Sequence, residues 1–436
     1  MKDRTSWSNW AGNQVCAPTE IRTPGTEAEL VAIVRDAAAR GVRVKCVGAG
    51  HSFTAIACTD GIMVDLSRYG RVLGHDPEAR TVTVEAGITL STLCDELDRR
   101  GLAMENMGDI AYQSIAGATA TATHGTGWHF GNLSSRIVGL RLIAGDGSII
   151  EANATENPDV LDVARVGVGA LGIVSTVTFQ AVPAFRLHAI EAPLPVDEIL
   201  SDFDGYMSSA DHVEFYWVPH TKWALTKKNR RTDEPAQPRG RVKEIINDEL
   251  LTNAAFGAMC RVGRWRPSLI PRLAKILPSA SSSDYLDRSD KVFTSPRRVH
   301  FYEMEYGIPR EAVPEALNRV RALVDEIGMH ISFPVEVRVV APDDIPLSTA
   351  HGRPTGYIAV HVYRGTPYDA YFQGVERIMD SYGGRPHWGK MHFQRAETLA
   401  PRYPRWGELQ AMRARIDPDG RFTNQYLDRV LGPIGG

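Results

Sequence analysis

The stretch Val47-Gly-Ala-Gly-His-Ser-Phe53, "VGAGHSF", follows an alternating run from Val42 to Cys46 and leads into no recognisable helix. Val42, Val44 and Cys46 alternate with Arg43 and Lys45, which is the two-residue period of a half-buried strand. A glycine loop at a strand end can set backbone N–H groups around an anion such as a pyrophosphate, and Ser52 can add a hydroxyl donor. His51 fits that role less well than a lysine or arginine would. By itself it reads either as a hydrogen-bonded loop histidine or as a reacting group.

Working outward, Thr26 to Glu29 forms a capping box, and Leu30, Ile33, Val34, Ala37 and Ala38 follow at helical spacing until Gly41. Ile62 to Leu66 and Arg80 to Gly87 read as strands, and Leu90, Leu93, Cys94 and Leu97 mark a second helix ending at Gly101. The segment 105–129, "ENMGDIAYQSIAGATATATHGTGWH", is almost uncharged and poor in bulky side chains. Such a segment lets backbone approach a large flat ligand, and it also suits a Thr-rich strand and turn. A hairpin is expected around Asp146-Gly147 and a further strand after Gly172. On periodicity alone the β content lies before about residue 182. Residues 234–241, "EPAQPRGR", and 278–284, "PSASSSD", read as polar breaks.

A chain of 436 residues, 43% hydrophobic and 23% charged, can bury two or three cores. Its net charge of −3 gives no electrostatic reason to expect a nucleic-acid partner. Five scattered cysteines without a CxxC pair suit reduced thiols in the cytoplasm. The first residues lack the apolar region of a signal peptide, and no window approaches the ~20 apolar residues of a membrane span. Arg264 to Leu277 is the best candidate for peripheral membrane contact; a short helix packed on a domain is the favoured reading.

Gly167 to Gly172 matches G-x-G-x-x-G, but a helix-like run precedes it and a strand follows, the reverse of a dinucleotide fingerprint. These glycines are read as a close backbone approach. Glu336 and Arg338, two apart in "FPVEVRVV", share one face of a strand, where charge is costly to bury unless paired or used. His361 sits in the apolar "YIAVHVY", and "GGRPHWGKMHF" gathers Arg385, His387, Trp388, Lys390 and His392. His387 and His392 do not have helical ligand spacing, so no metal site is expected. No G-x-S-x-G elbow marks a serine hydrolase.

Together, "VGAGHSF", "SIAGATATATHGTG", "EVR", "GGRPHWGK" and "FTNQYLDRVL" resemble the aldonolactone oxidoreductases, within the vanillyl-alcohol-oxidase class of flavoproteins. The resemblance runs in order from about Asn9 to Leu431. It implies an α+β fold with a two-part FAD domain over residues 1–181 and a cap domain with a large antiparallel sheet over 182–410. Residues 411–436 would return to the FAD domain.

The resemblance implies that His51 carries FAD covalently at the flavin 8α position, with Val47, Gly48, Ala49, Gly50 and Ser52 around it. Ser114, Gly117, Thr121, His124, Gly125 and Thr126 would line the cofactor, and Gly172 and Ile173 would lie near its adenosine half. Gly108 and Asp109 would lie beside the flavin carbon that meets O2. Gly108 there either leaves a path for O2 or permits a positive-φ turn. Glu336, Arg338, His361 and Lys390 would face the substrate, with Arg338 and Lys390 stabilising developing negative charge.

The implied substrate is a five-membered sugar lactone oxidised at its C2 hydroxyl, with an open polyol as the alternative. Asp109 and Tyr363 stand where alditol oxidases have serine and threonine, and this favours the lactone. The implied acceptor is O2, giving H2O2, with a cytochrome or dye as the alternative. A flavin-bearing protein that binds a sugar without turnover is the reading from outside the enzymes.

Overall fold

The computed structural model describes residues 6–237, 255–275, 282–295 and 299–434. Its first helix, Glu27–Arg40, is bounded as the capping residues dictate. The Thr26 side chain accepts from the Glu29 N–H, and Gly41 ends the helix at φ 63°. Leu30, Ile33, Val34 and Ala37 bury one face against a three-stranded parallel sheet ordered Glu20–Arg22, Ile62–Asp65, Val44–Val47. A second, five-stranded antiparallel sheet follows, in the order Ile149–Asn153, Ile137–Ile143, Ile173–Gln180, Thr81–Glu85, Val72–Asp76.

Between these sheets the small-residue segment is not a strand. Ile115–Ala120 is a short helix, capped by the Ser114 hydroxyl accepting from the Gly117 N–H. The Thr119 and Thr121 hydroxyls donate back to the carbonyls of Ile115 and Gly117 at 2.9 and 3.1 Å. Their β-branched character is thus outweighed by local hydrogen bonding.

The β content before residue 182 proves the smaller share. Beyond it runs an eight-stranded antiparallel sheet ordered Ser283–Arg288, Arg186–Pro195, Trp223–Thr232, His212–Trp217, Val335–Val340, Thr355–Tyr363, Phe301–Pro309, Arg385–Pro386. The periodicity reading missed it because several of its strands carry charge on alternate residues, as in "FYEMEYGIP", or are mostly polar, as in "WALTKKNRRT". Val213, Phe215, Met304, Val337, Ile358 and Val360 form its apolar face. The helices Val313–Glu326 and Asp369–Asp380 cover that face.

The last residues pack back on the first sheet. The Arg421 carbonyl accepts from the Val44 N–H at 2.8 Å, and Asn424 Nδ2 donates to the carbonyls of Ala55, Ile56 and Cys58. Gly167 to Gly172 stands between the helix Pro158–Ala164 and the strand Ile173–Gln180, as its context required. A Cβ on Gly172 would lie 2.5 Å from the Ile143 carbonyl oxygen. All five cysteines are free thiols.

Among the described residues no helix is long and apolar enough to cross a membrane. The candidate membrane-contact segment forms the end of the helix Ala255–Trp265 and the short helix Ile270–Ala274; Ile276 and Leu277 lie outside the described residues, as do parts of both polar breaks.

Ile358 is fully buried between the sheet and its covering helices. Ile358→Ala should lower unfolding stability by about 2–5 kcal/mol, read by denaturant titration, without changing the residues that face the other side of the sheet.

Candidate active site

The strand Val44–Val47 delivers the glycine loop into an open cleft. Val47, Gly48, Ala49, Gly50, His51 and Ser52 form one wall. Ser114, Gly117 and Thr121 form a second, and Gly172 and Ile173 close the far end beside Phe422. A Cβ on Gly48 would lie 2.1 Å from the Ser114 hydroxyl oxygen, so only glycine allows this wall. The loop is braced from three directions. Trp10 N–H donates to the Gly50 carbonyl at 2.9 Å, Asn9 Nδ2 to Ser52 at 2.9 Å, and Phe53 N–H to Gly389 at 2.7 Å.

His51 is half-buried, its ring 5.4 Å from that of Trp10 and stacked 6.4 Å from that of Tyr112. Burial, with Lys390 and His300 nearby, lowers its pKa to about 4. The imidazole is therefore neutral at ordinary pH, with a lone pair free to act as a nucleophile.

The other face of the large sheet is charged. Cross-strand register sets Tyr216 opposite Glu336 and His361 opposite Glu303. Arg338 Nη2 meets Asp109 Oδ1 and Glu336 Oε1, both at 2.5 Å, and its Nε meets Glu214 Oε2 at 2.7 Å. The Tyr216 hydroxyl donates to Asp109 and to Glu336 at 3.4 Å. Lys390 Nζ pairs with Glu303, whose second oxygen lies 3.4 Å from His361 Nε2. The His124 ring stacks on Tyr357 at 3.6 Å and presents Nε2 to Glu305 at 3.3 Å.

Burial drives the Glu336 carboxyl upward; Arg338 opposes it, and Asp109 and Glu214 push it up again, to about 7. Burial would raise Glu303 as well, but Lys390 and His361 outweigh it and hold that carboxyl at about 2. The two carboxylates thus have opposite environments on one sheet face.

Of the residues the sequence nominated, Glu336 and Arg338 meet in one ion-paired group, and Lys390 and His361 meet at Glu303. Asp109 reaches this group from the first half of the chain. Gly108, Gly125 and Thr126 sit at the junction between the halves. A Cβ on Gly108 would lie 2.9 Å from the His124 carbonyl oxygen, and one on Gly125 2.3 Å from the Met107 carbonyl. Gly108 does not adopt positive φ, so close approach is what demands glycine there. The Thr126 hydroxyl donates to the Val213 carbonyl at 2.5 Å.

Sequence reasoning missed Glu214, Tyr216, Glu303 and Glu305. The signal was present in "HVEFYW" and "FYEMEYG", where charge alternates with apolar residues just as in "VEVRVV". His387 and His392 have separate partners: Nδ1 of the first accepts from Gly389 N–H, and Nε2 of the second meets the Tyr426 hydroxyl.

The model of the D-arabinono-1,4-lactone oxidase family matches residues 177–430, and that of an FAD-binding domain matches residues 18–153. The chain belongs to the D-arabinono-1,4-lactone oxidase family. It is 49% identical to an L-gulono-1,4-lactone dehydrogenase of Mycobacterium tuberculosis, over 98% of this chain and 99% of that one. It is 32% identical to an L-gulonolactone oxidase of Mus musculus, over 98% of each chain. An alditol oxidase of a Streptomyces species is 30% identical, over 98% of this chain and 99% of that one. A solvent-stable cholesterol oxidase shares the fold, with a TM-score of 0.85 and 20% identity, covering 99% of this chain and 98% of that one.

Family membership makes the chain an FAD-dependent oxidoreductase, and the glycine-walled cleft suits that cofactor: a Cβ at Gly48 would strike the Ser114 hydroxyl and force its two walls to shift.

If ionised Glu336 receives the substrate's proton, flavin bleaching by substrate should quicken as pH rises through about 7 and level off above it. Removing one negative neighbour lowers a carboxyl's pKa. Glu214→Gln should therefore move that inflection to lower pH in stopped-flow traces.

Proposed function

We propose that this protein oxidises a sugar 1,4-lactone at its C2 hydroxyl, with FAD joined covalently to His51. The observation that carries the reading is the ion-paired group on the sheet, Asp109–Arg338–Glu336 and Lys390–Glu303–His361, next to the loop that holds His51. Bound FAD supplies the hydride acceptor. Glu336 and Tyr216 hold the reacting hydroxyl, and Glu336, poised near neutrality, takes its proton. Arg338 and Lys390 supply positive charge where negative charge develops, a role whose loss commonly costs ~10²–10³ in turnover.

The names of the gulonolactone relatives support a lactone over a polyol. Residues 1–181 and 411–436 are proposed as the cofactor unit, and 182–410 as the cap that brings the substrate groups. Five free thiols suit the cytoplasm.

The acceptor is read as O2. The missing methyl at Gly108 points at the His124 carbonyl, so Gly108→Ala would shift backbone whatever its effect on O2, and the unmodified protein is the better test. The 49% identical relative, named a dehydrogenase, favours a second reading in which electrons pass to a carrier.

Anaerobic mixing with L-gulono-, L-galactono- and D-arabinono-1,4-lactone should bleach the flavin colour, and air should restore it with release of H2O2. No bleaching by any lactone refutes the activity. Slow return in air with fast transfer to cytochrome or dye makes the protein a dehydrogenase.

Acid-precipitated protein should stay yellow and fluoresce in a denaturing gel, and His51→Ala should lose both signals. Free flavin in the supernatant of the unmodified protein would exclude the covalent bond.

A further inference from the structure

A lactone in water opens by adding water at its ester carbonyl; the ring oxygen leaves as the C4 hydroxyl and the new acid loses a proton, which yields an aldonate, a carboxylate with one hydroxyl more than the lactone. Any site for the closed sugar meets this anion as a competitor. A guanidinium is a natural two-point receptor for carboxylate, so Arg338 by itself would invite it.

We propose that Asp109 has the opposite effect, shutting Arg338 to the aldonate and so selecting the closed, neutral lactone. This rests on the lactone reading above. A carboxylate docks on a guanidinium by one of two edges, Nε with Nη2 or Nη1 with Nη2. Nη2 belongs to both, and it is already engaged at 2.5 Å by Asp109 and by Glu336, while Glu214 holds Nε at 2.7 Å. An incoming carboxylate therefore has no two-point edge without displacing a protein carboxylate.

Among the described residues, the neighbouring lysines are held as well. Lys390 pairs with Glu303, and Lys227 Nζ lies 3.9 Å from Glu214 and donates to the Val292 carbonyl at 2.7 Å. A fourth carboxylate beside Asp109, Glu214 and Glu336 meets like charge in a largely dry site. The neutral lactone brings no charge into this group, and the carboxylates can accept from its hydroxyl groups.

Asp109 is singled out by its origin and exposure. Glu214 lies on the strand beside that of Arg338, and Glu336 on the same strand. Asp109 arrives from a loop of the first half of the chain, its backbone carbonyl accepting from the Ser295 N–H at 3.1 Å. Its side chain is the outermost of the three, 12% exposed against 6% and 9% for Glu214 and Glu336. Removing its charge opens Nη2 from outside while Glu214 and Glu336 still hold the guanidinium in place. Asp109 is thus a specificity residue, acting through Arg338.

The test uses the FAD-loaded protein with sodium L-gulonate as the probe, read as inhibition of L-gulono-1,4-lactone oxidation and as perturbation of the flavin spectrum without turnover. The unmodified protein should show neither effect at roughly ten times the lactone KM, and Asp109→Asn should bind gulonate competitively with a constant lower by about tenfold or more. Asp109→Glu should restore exclusion. Gulonate binding to the unmodified protein as tightly as lactone overturns the proposal, whether or not the variant folds. So does an unchanged gulonate constant in Asp109→Asn. Failure of lactone to bleach the flavin sinks the lactone reading instead, and the spectral titration then still reports whether the aldonate is kept out.

Discussion

A charge buried on a β-sheet has to find its partner within a few ångströms, and this demand organises the large sheet. One face is apolar and closes on two helices. The other buries Glu214, Glu303, Glu305, Glu336, Arg338 and His361, each less than a tenth exposed. Unpaired, each carboxylate would cost several kcal/mol. Paired, they fix one another: the Arg338 guanidinium is held by three carboxylates, and Glu303 by the Lys390 ammonium and the His361 imidazole. The antiparallel register that sets these residues side by side is therefore also what determines the shape of the site.

Legibility followed local signals and stopped where partners are distant. The "VGAGHSF" loop could be recognised because a strand and its glycines are contiguous, and "VEVRVV" because charge on alternate residues of an apolar strand needs a reason. Glu303 and Glu305 carry the same signal in "FYEMEYGIP", yet their partners lie at His361, Lys390 and His124, far apart in sequence. Alternating charge, and in Trp223–Thr232 a run of Lys, Asn and Arg, hid much of the eight-stranded sheet from periodicity. The threonine run left a strand open as one of two readings, and Thr119 and Thr121 instead spend their hydroxyls on helix carbonyls. Gly108 shows a further limit: its need for glycine comes from the His124 carbonyl and not from its own φ.

The segment "GGRPHWGK" joins two sites that the chain delivers separately. His387 Nδ1 accepts from the Gly389 N–H, and the Gly389 carbonyl accepts from Phe53, at the end of the His51 loop. A Cβ on Gly389 would stand 3.3 Å from the Ser52 hydroxyl oxygen. Lys390, the next residue, turns to Glu303 on the sheet. One turn thus braces the histidine loop and places the Lys390 cation against the charged face of the sheet, so a shift in either is felt by the other.

That coupling gives the two carboxylate environments distinct uses. Glu303, held at about 2 by Lys390 and His361, stays ionised throughout the working range and serves as a fixed anchor for Lys390. Glu336 stands near 7 because burial, Asp109 and Glu214 together outweigh Arg338, so it can exchange a proton at little cost. Lys390 in turn contributes to lowering the proton affinity of His51, keeping that imidazole neutral. Moving the fixed charge at Glu303 would therefore disturb the loop histidine through Lys390, whereas a change at Glu214 or Asp109 acts on the exchangeable proton of Glu336.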